Sequence, residues 1–156
     1  MGGQGVDLLT MHSGEGEQPF SYAVGEFGSR FLAEIRDNKK FMGVRCPKCK
    51  KVYIPPRKLC GPCFTEMDEW VEVADEGVLY SYTILRFAFL DPETGKEKPV
   101  PYGYAFIKLD GADTCFQHFV EIKDESKVKV GARVKAIFKE KREGKIVDIE
   151  HFVVVD

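Results

Sequence analysis

This chain has no long apolar stretch. Its longest purely apolar runs, such as Phe87-Ala88-Phe89-Leu90 and Phe152 to Val155, hold four residues. A membrane-spanning helix needs about 20, so none is expected. Met1 to Ser13 has neither a basic segment nor an apolar one. A secretory signal is therefore not expected, and the reading is a cytoplasmic protein. Gly2 lacks the Ser or Thr that myristoylation wants four residues later, where Val6 stands. No large excess of either charge is present: 23 bases against 25 acids in 156 residues give a net charge of −2. Paired-carboxylate, serine-hydrolase and phosphate-loop signatures are missing too. His12 and His151 have no companions that would make a site. The chain lacks the parts of an active site of its own.

What is present is an ordinary globular composition, 44% hydrophobic and 31% charged, with unevenly placed charge. Residues 39–63 hold eight bases and no acid, whereas residues 64–120 hold four bases and 11 acids. The basic stretch coincides with four of the five cysteines. It reads either as a solvated loop or as a face for an anion.

The four cysteines form two pairs, Cys46-Pro47-Lys48-Cys49 and Cys60-Gly61-Pro62-Cys63, 10 residues apart. Each spacing suits a knuckle whose tight turn aims two thiolates at one point. Two knuckles joined by a hairpin supply a tetrahedron of sulfur, which zinc takes at about 2.3 Å per bond. Iron in a rubredoxin-like site competes, since thiolates bind both. Four protein ligands close the coordination sphere, so the metal is structural. Cys60-Gly61-Pro62-Cys63 also spells a thioredoxin-type redox motif, but that motif needs a preceding strand, and Pro55-Pro56 precedes it here. Cys115 and His118 fall three apart on a strand and so on opposite faces. Cys115 reads as a small buried apolar residue.

Residues 1–22 read as a flexible arm rich in Gly, Ser and Glu. Within residues 23–40, Phe27, Phe31, Leu32 and Ile35 recur at helical spacing and make one apolar face. Residues 41–68 form the cysteine module, opened by a short strand over Phe41 to Arg45. Residues 69–156 hold five strands, read over Val78–Phe87, Tyr102–Leu109, Thr114–Glu121, Arg133–Glu140 and Lys145–Val155. Turn signals such as Asp91-Pro92-Glu93-Thr94-Gly95 and Asp110-Gly111 separate them. Five strands in this length suit an OB-fold barrel. The expected fold is mainly β: an N-terminal helix, a rubredoxin-like zinc ribbon and a five-stranded OB-fold barrel. On the second barrel strand Gly103, Ala105, Ile107 and Leu109 face inward. Tyr102, Tyr104 and Phe106 then face outward, as do Tyr80 and Tyr82. Such aromatics are covered by the helix, touch a partner, or stack on bases. The last option makes a single-stranded nucleic-acid binder the alternative function, although the acidic barrel stretch opposes it.

The order of motifs resembles a known family. Phe31-Leu32-Ala33-Glu34-Ile35 is followed by Cys46-Pro47-Lys48-Cys49, then by Val52-Tyr53-Ile54-Pro55-Pro56-Arg57 and Leu59-Cys60-Gly61-Pro62-Cys63. Glu69-Trp70-Val71-Glu72-Val73, Gly77-Val78-Leu79-Tyr80-Ser81-Tyr82-Thr83 and Pro101-Tyr102 come next. Over about 130 residues this is similar to the paired zinc-ribbon and OB-fold proteins associated with acyl-CoA metabolism. The resemblance implies a non-catalytic partner of a thiolase-like enzyme in a hetero-oligomer. The complex would cleave or form a 3-oxoacyl-CoA with coenzyme A, as in acetoacetyl-CoA, steroid side-chain or anaerobic aromatic pathways. It implies structural zinc on Cys46, Cys49, Cys60 and Cys63. Coenzyme A or an acyl-CoA would be a ligand of the complex, with Arg57 and Lys58 as candidate phosphate contacts. The stripe of Phe27, Phe31 and Ile35, with the arm from Gln18 to Tyr22, is the candidate partner interface.

Overall fold

The computed structural model describes residues 23–88, 96–97 and 99–155. The arm, including Gln18–Tyr22, and the turn at 91–95 lie outside the described residues. Helix α1 spans Gly25–Asn38 and stops where Lys39 turns left-handed, with φ 55°. Strands β1 (Phe41–Arg45), β2 (Val52–Tyr53) and β5 (Glu69–Val73) form one antiparallel sheet, ordered β2-β1-β5. Strands β3 (Leu59–Cys60) and β4 (Thr65–Glu66) form a small hairpin.

Strands β6 (Glu76–Leu85), β7 (Tyr102–Leu109), β8 (Phe116–Glu121), β9 (Arg133–Phe138) and β10 (Ile149–Val154) close into a barrel in the order β10-β8-β7-β6-β9. The last strand pairs antiparallel with β9 and parallel with β8. These are the five strands expected from alternation, with ends shifted by a few residues. Closure of the barrel requires a close approach at Gly77, where a Cβ would collide with the backbone carbonyl of Lys108.

A boundary at 68/69 does not coincide with a sheet boundary. Strand β5 lies in residues assigned by sequence to the barrel, yet its whole length pairs with β1, from Phe41–Val73 to Arg45–Glu69. The ribbon is also tied to the loop before β8. The Val52 and Ile54 N–H groups donate to Asp113 Oδ2 and Thr114 Oγ1, both at 2.8 Å. Thr114 returns its hydroxyl to the Ile54 carbonyl.

One core joins the parts. Phe41 is fully buried, with its ring 6.3 Å from Phe31, 5.5 Å from Phe116, 5.6 Å from Phe138 and 6.3 Å from Phe152. Helix, first strand and barrel thus meet at a single phenylalanine. A smaller core of Val44, Cys46, Tyr53, Cys60 and Met67 lies inside the ribbon.

Two expectations are corrected here. Phe31 and Ile35 are 3% and 0% exposed, packed into the core of this chain. The barrel end covers this face of the helix, so these two are not a partner surface. Phe27 is half-buried and stacks on Trp70 at 5.2 Å, while Arg30 lies 4.2 Å over the same indole. Second, Tyr102 is buried and not outward. Phe119 of β8 packs edge-on against Tyr102 and Tyr104, at 5.8 and 5.2 Å. Tyr80, Tyr82 and Phe106 remain exposed as expected.

Candidate metal centre

The two knuckles have the same construction. In the first, Lys50 N–H donates to the Cys46 carbonyl at 2.9 Å, and Lys50 is left-handed with φ 64°. In the second, Phe64 N–H donates to the Cys60 carbonyl at 2.8 Å, and Phe64 has φ 49°. The left-handed residue reverses the chain so that both cysteines of a pair point the same way. The Cys49 N–H also donates to Cys46 Sγ at 3.4 Å.

The sulfurs of Cys46, Cys49, Cys60 and Cys63 all lie within 4.8 Å of one another, with Cys49 and Cys60 3.8 Å apart. A tetrahedron with metal–sulfur bonds of about 2.3 Å has edges of about 3.8 Å. The donor set therefore fits a tetrathiolate metal. Its charge balance points the same way. The hydrogen bond from Tyr53, opposed by burial, brings Cys60 down to about 6. Burial, then hydrogen bonding with the neighbouring sulfurs, pushes Cys63 up to about 12. Four sulfurs this close cannot all be thiolates without a cation between them.

Tyr53 belongs to this site and was not singled out from sequence. Its hydroxyl lies 3.2 Å from Cys60 Sγ in the ribbon core. Arg57 places its guanidinium 4.1 Å over the Tyr53 ring. No spacing rule links a tyrosine to a cysteine seven residues later; the pairing arises only when β2 is laid beside the second knuckle.

The remaining candidates are dispersed. Arg57 is engaged with Tyr53, and Lys58 pairs with Glu66 at 3.4 Å on the exposed hairpin. The described cavities lie elsewhere. One of about 670 Å³ and one of about 450 Å³ share Glu121 and His151 at the seam of β8 and β10. Cys115 is half-buried, and burial raises its thiol pKa. His118 is buried and accepts the Phe119 N–H on Nδ1 at 2.7 Å. No described helix is long and apolar enough to cross a membrane.

Comparison with known proteins agrees with this geometry. Residues 33–68 match the family model for the ChsH2 rubredoxin-like zinc ribbon domain, and residues 70–139 match that for the ChsH2 C-terminal OB-fold domain. A DUF35 domain-containing scaffold protein of Methanocaldococcus jannaschii is 32% identical over 116 residues, covering 73% of this chain and 78% of the relative. The chain belongs to the DUF35 family of zinc-ribbon and OB-fold proteins. A DUF35 crystal structure from Sulfolobus solfataricus is similar, with 27% identity, TM-score 0.59 and 85% of each chain covered. The Ltp2-ChsH2(DUF35) aldolase structure shares the fold, with 22% identity, TM-score 0.58, and coverage of 80% of this chain and 92% of that one.

Proposed function

We propose that this DUF35 protein is a non-catalytic, zinc-stabilised subunit of a thiolase-type complex in the cytoplasm. The observation that carries the reading is the relative from Methanocaldococcus jannaschii, which is named a scaffold protein. The Ltp2-ChsH2(DUF35) aldolase supports it as a fold neighbour whose name joins two components. The geometry of the cysteines supports a structural metal: four sulfurs close the coordination sphere and leave no position for water or substrate. Zinc supplies cross-linking of the two knuckles and no chemistry. The catalytic partner then brings the nucleophile and the acid–base groups that acyl transfer requires.

The reaction of the complex is cleavage or formation of a 3-oxoacyl-CoA with coenzyme A. The resemblance carried by the motif order extends this to aromatic substrates of anaerobic degradation, benzoylsuccinyl-CoA among them. Arg57 is the candidate contact for a coenzyme A phosphate, although it would have to leave the face of Tyr53 to reach one. The test is co-purification of the tagged chain from its native host, followed by assay of the complex. A thiolase-like protein in stable ratio, whose 3-oxoacyl-CoA thiolysis falls when this subunit is removed, is expected. Purification without any acyl-CoA-processing enzyme would overturn the reading.

A further inference from the structure

The second knuckle ends in an apolar point that the described fold does not cover. Phe64 is 89% exposed, and Leu59 on the same hairpin is 52% exposed. The knuckle turn forces Phe64 into the left-handed region, which glycine enters without steric cost and a bulky residue does not. The ring therefore adds nothing to this chain's own core, and its backbone position would suit glycine better.

The stretch that holds both knuckles is basic, with eight bases and no acid over residues 39–63. Cys49 and Cys63 sulfurs lie within the same 4.8 Å cluster. Lys48 and Lys50 flank Cys49, and Lys50 holds in the first knuckle the left-handed position that Phe64 holds in the second. Lys40, Arg45 and Lys58 are paired with Glu72, Glu69 and Glu66. Lys48, Lys50, Lys51 and Arg57 form no ion pair among the described residues. A second copy docked tip to tip is a poor partner, because a two-fold contact would set the same unpaired cations against one another.

We infer that the ribbon tip, with Phe64 as anchor and Leu59 beside it, docks into an apolar socket rimmed by carboxylates on the catalytic subunit. This rests on the proposed function, which supplies that subunit. Aromatic anchors at the centre and charged groups at the rim are the usual anatomy of such contacts. The cations speed encounter and set orientation, and the ring contributes the buried contact. The helix stripe cannot do this, since Phe31 and Ile35 are spent on the core.

The experiment uses the full chain and the thiolase-like protein that co-purifies with it, identified and then produced separately. Affinity is measured at two salt concentrations for the wild type, Phe64→Gly, Lys50→Glu and Phe106→Ser. Phe64→Gly removes the ring while easing the backbone, so it should fold and bind metal at least as well as the wild type. Its Kd for the catalytic subunit should rise at least tenfold. Lys50→Glu should weaken binding and flatten its salt dependence, and Phe106→Ser on the barrel should leave Kd unchanged. Wild-type Kd in folded Phe64→Gly would overturn the inference while the proposed function stands. If no thiolase-like protein binds the wild type, both fall. The inference is also overturned if Phe64→Gly abolishes self-association, or binding of a single-stranded RNA oligonucleotide, instead of binding to the catalytic subunit.

Discussion

The Tyr53 hydroxyl donates a hydrogen bond to Cys60 Sγ at 3.2 Å. The direction follows from ligation, because a sulfur that holds a metal is a thiolate and can only accept. The contact with Cys60 and then burial push the phenol up to about 12, and the hydrogen bond from Tyr53 brings the thiol down to about 6. The tyrosine keeps its proton and the sulfur carries the charge, as a metal ligand must. Removing such an outer partner commonly costs 10- to 100-fold in metal affinity. Tyr53→Phe should therefore lose zinc to a chromophoric chelator at roughly 10- to 100-fold lower competitor strength. Unchanged competition would show that the phenol only fills space.

Metal removal should melt one core and spare the other. The ribbon cluster of Val44, Cys46, Tyr53, Cys60 and Met67 includes two ligands, whereas the barrel cluster includes none. After chelation, or in Cys49→Ser, amide protection should collapse over residues 46–67 and persist over Tyr102–Leu109. Loss of protection in β7 would mean that the barrel depends on the metal.

Phe31→Asp should unfold the isolated protein. It places a carboxylate among Phe41, Phe116 and Ile35. Loss of a buried phenylalanine alone costs about 3–5 kcal/mol, and burial of a charge adds to that. Urea denaturation reads the effect. A folded Phe31→Asp variant that merely fails to bind a partner would restore the helix as an interface.

Asp148 should contribute stability that acid removes. It is 2% exposed and accepts backbone N–H groups from Glu143, Gly144 and Lys145 at 2.7–3.1 Å. Burial alone would raise its pKa. The backbone donors outweigh that and hold it below the ordinary 3.8. A folded pKa below the unfolded one means the contribution is present above the unfolded value. It disappears as pH falls through the folded one. The difference in urea midpoint between wild type and Asp148→Asn should be large at neutral pH and shrink as pH drops below about 4. A constant difference across that range would exclude the charged form as its source.

Local patterns carried much of this structure. The strand Tyr102–Leu109 was legible because inward Ala105, Ile107 and Leu109 alternate with exposed neighbours. The metal centre was legible because knuckle spacing is a chemical constraint on four residues of one type. Contacts between distant segments were not legible. The pairing of β5 with β1 joins residues about 30 apart, and nothing in Glu69–Val73 distinguishes a ribbon strand from a barrel strand. Tyr102 looked outward by parity and is buried because Phe119 leans over it from β8. The helix stripe was visible, but its destination depends on Phe116 and Phe152, more than 80 residues away.

Phe41 also has a consequence for the order in which the chain matures. Synthesis runs from the N-terminus, so all four cysteines leave the ribosome before Phe116, Phe138 and Phe152 have been made. The ribbon can capture its metal and fix both knuckles while Phe31 and Phe41 still wait for most of their cover. During that interval the nascent protein carries an aromatic patch that its finished form conceals. The last barrel strand, which brings Phe152 onto Phe41, seals it. A ribosome stalled before residue 152 would therefore hold a ribbon that is metallated yet sticky, and a natural substrate for chaperones.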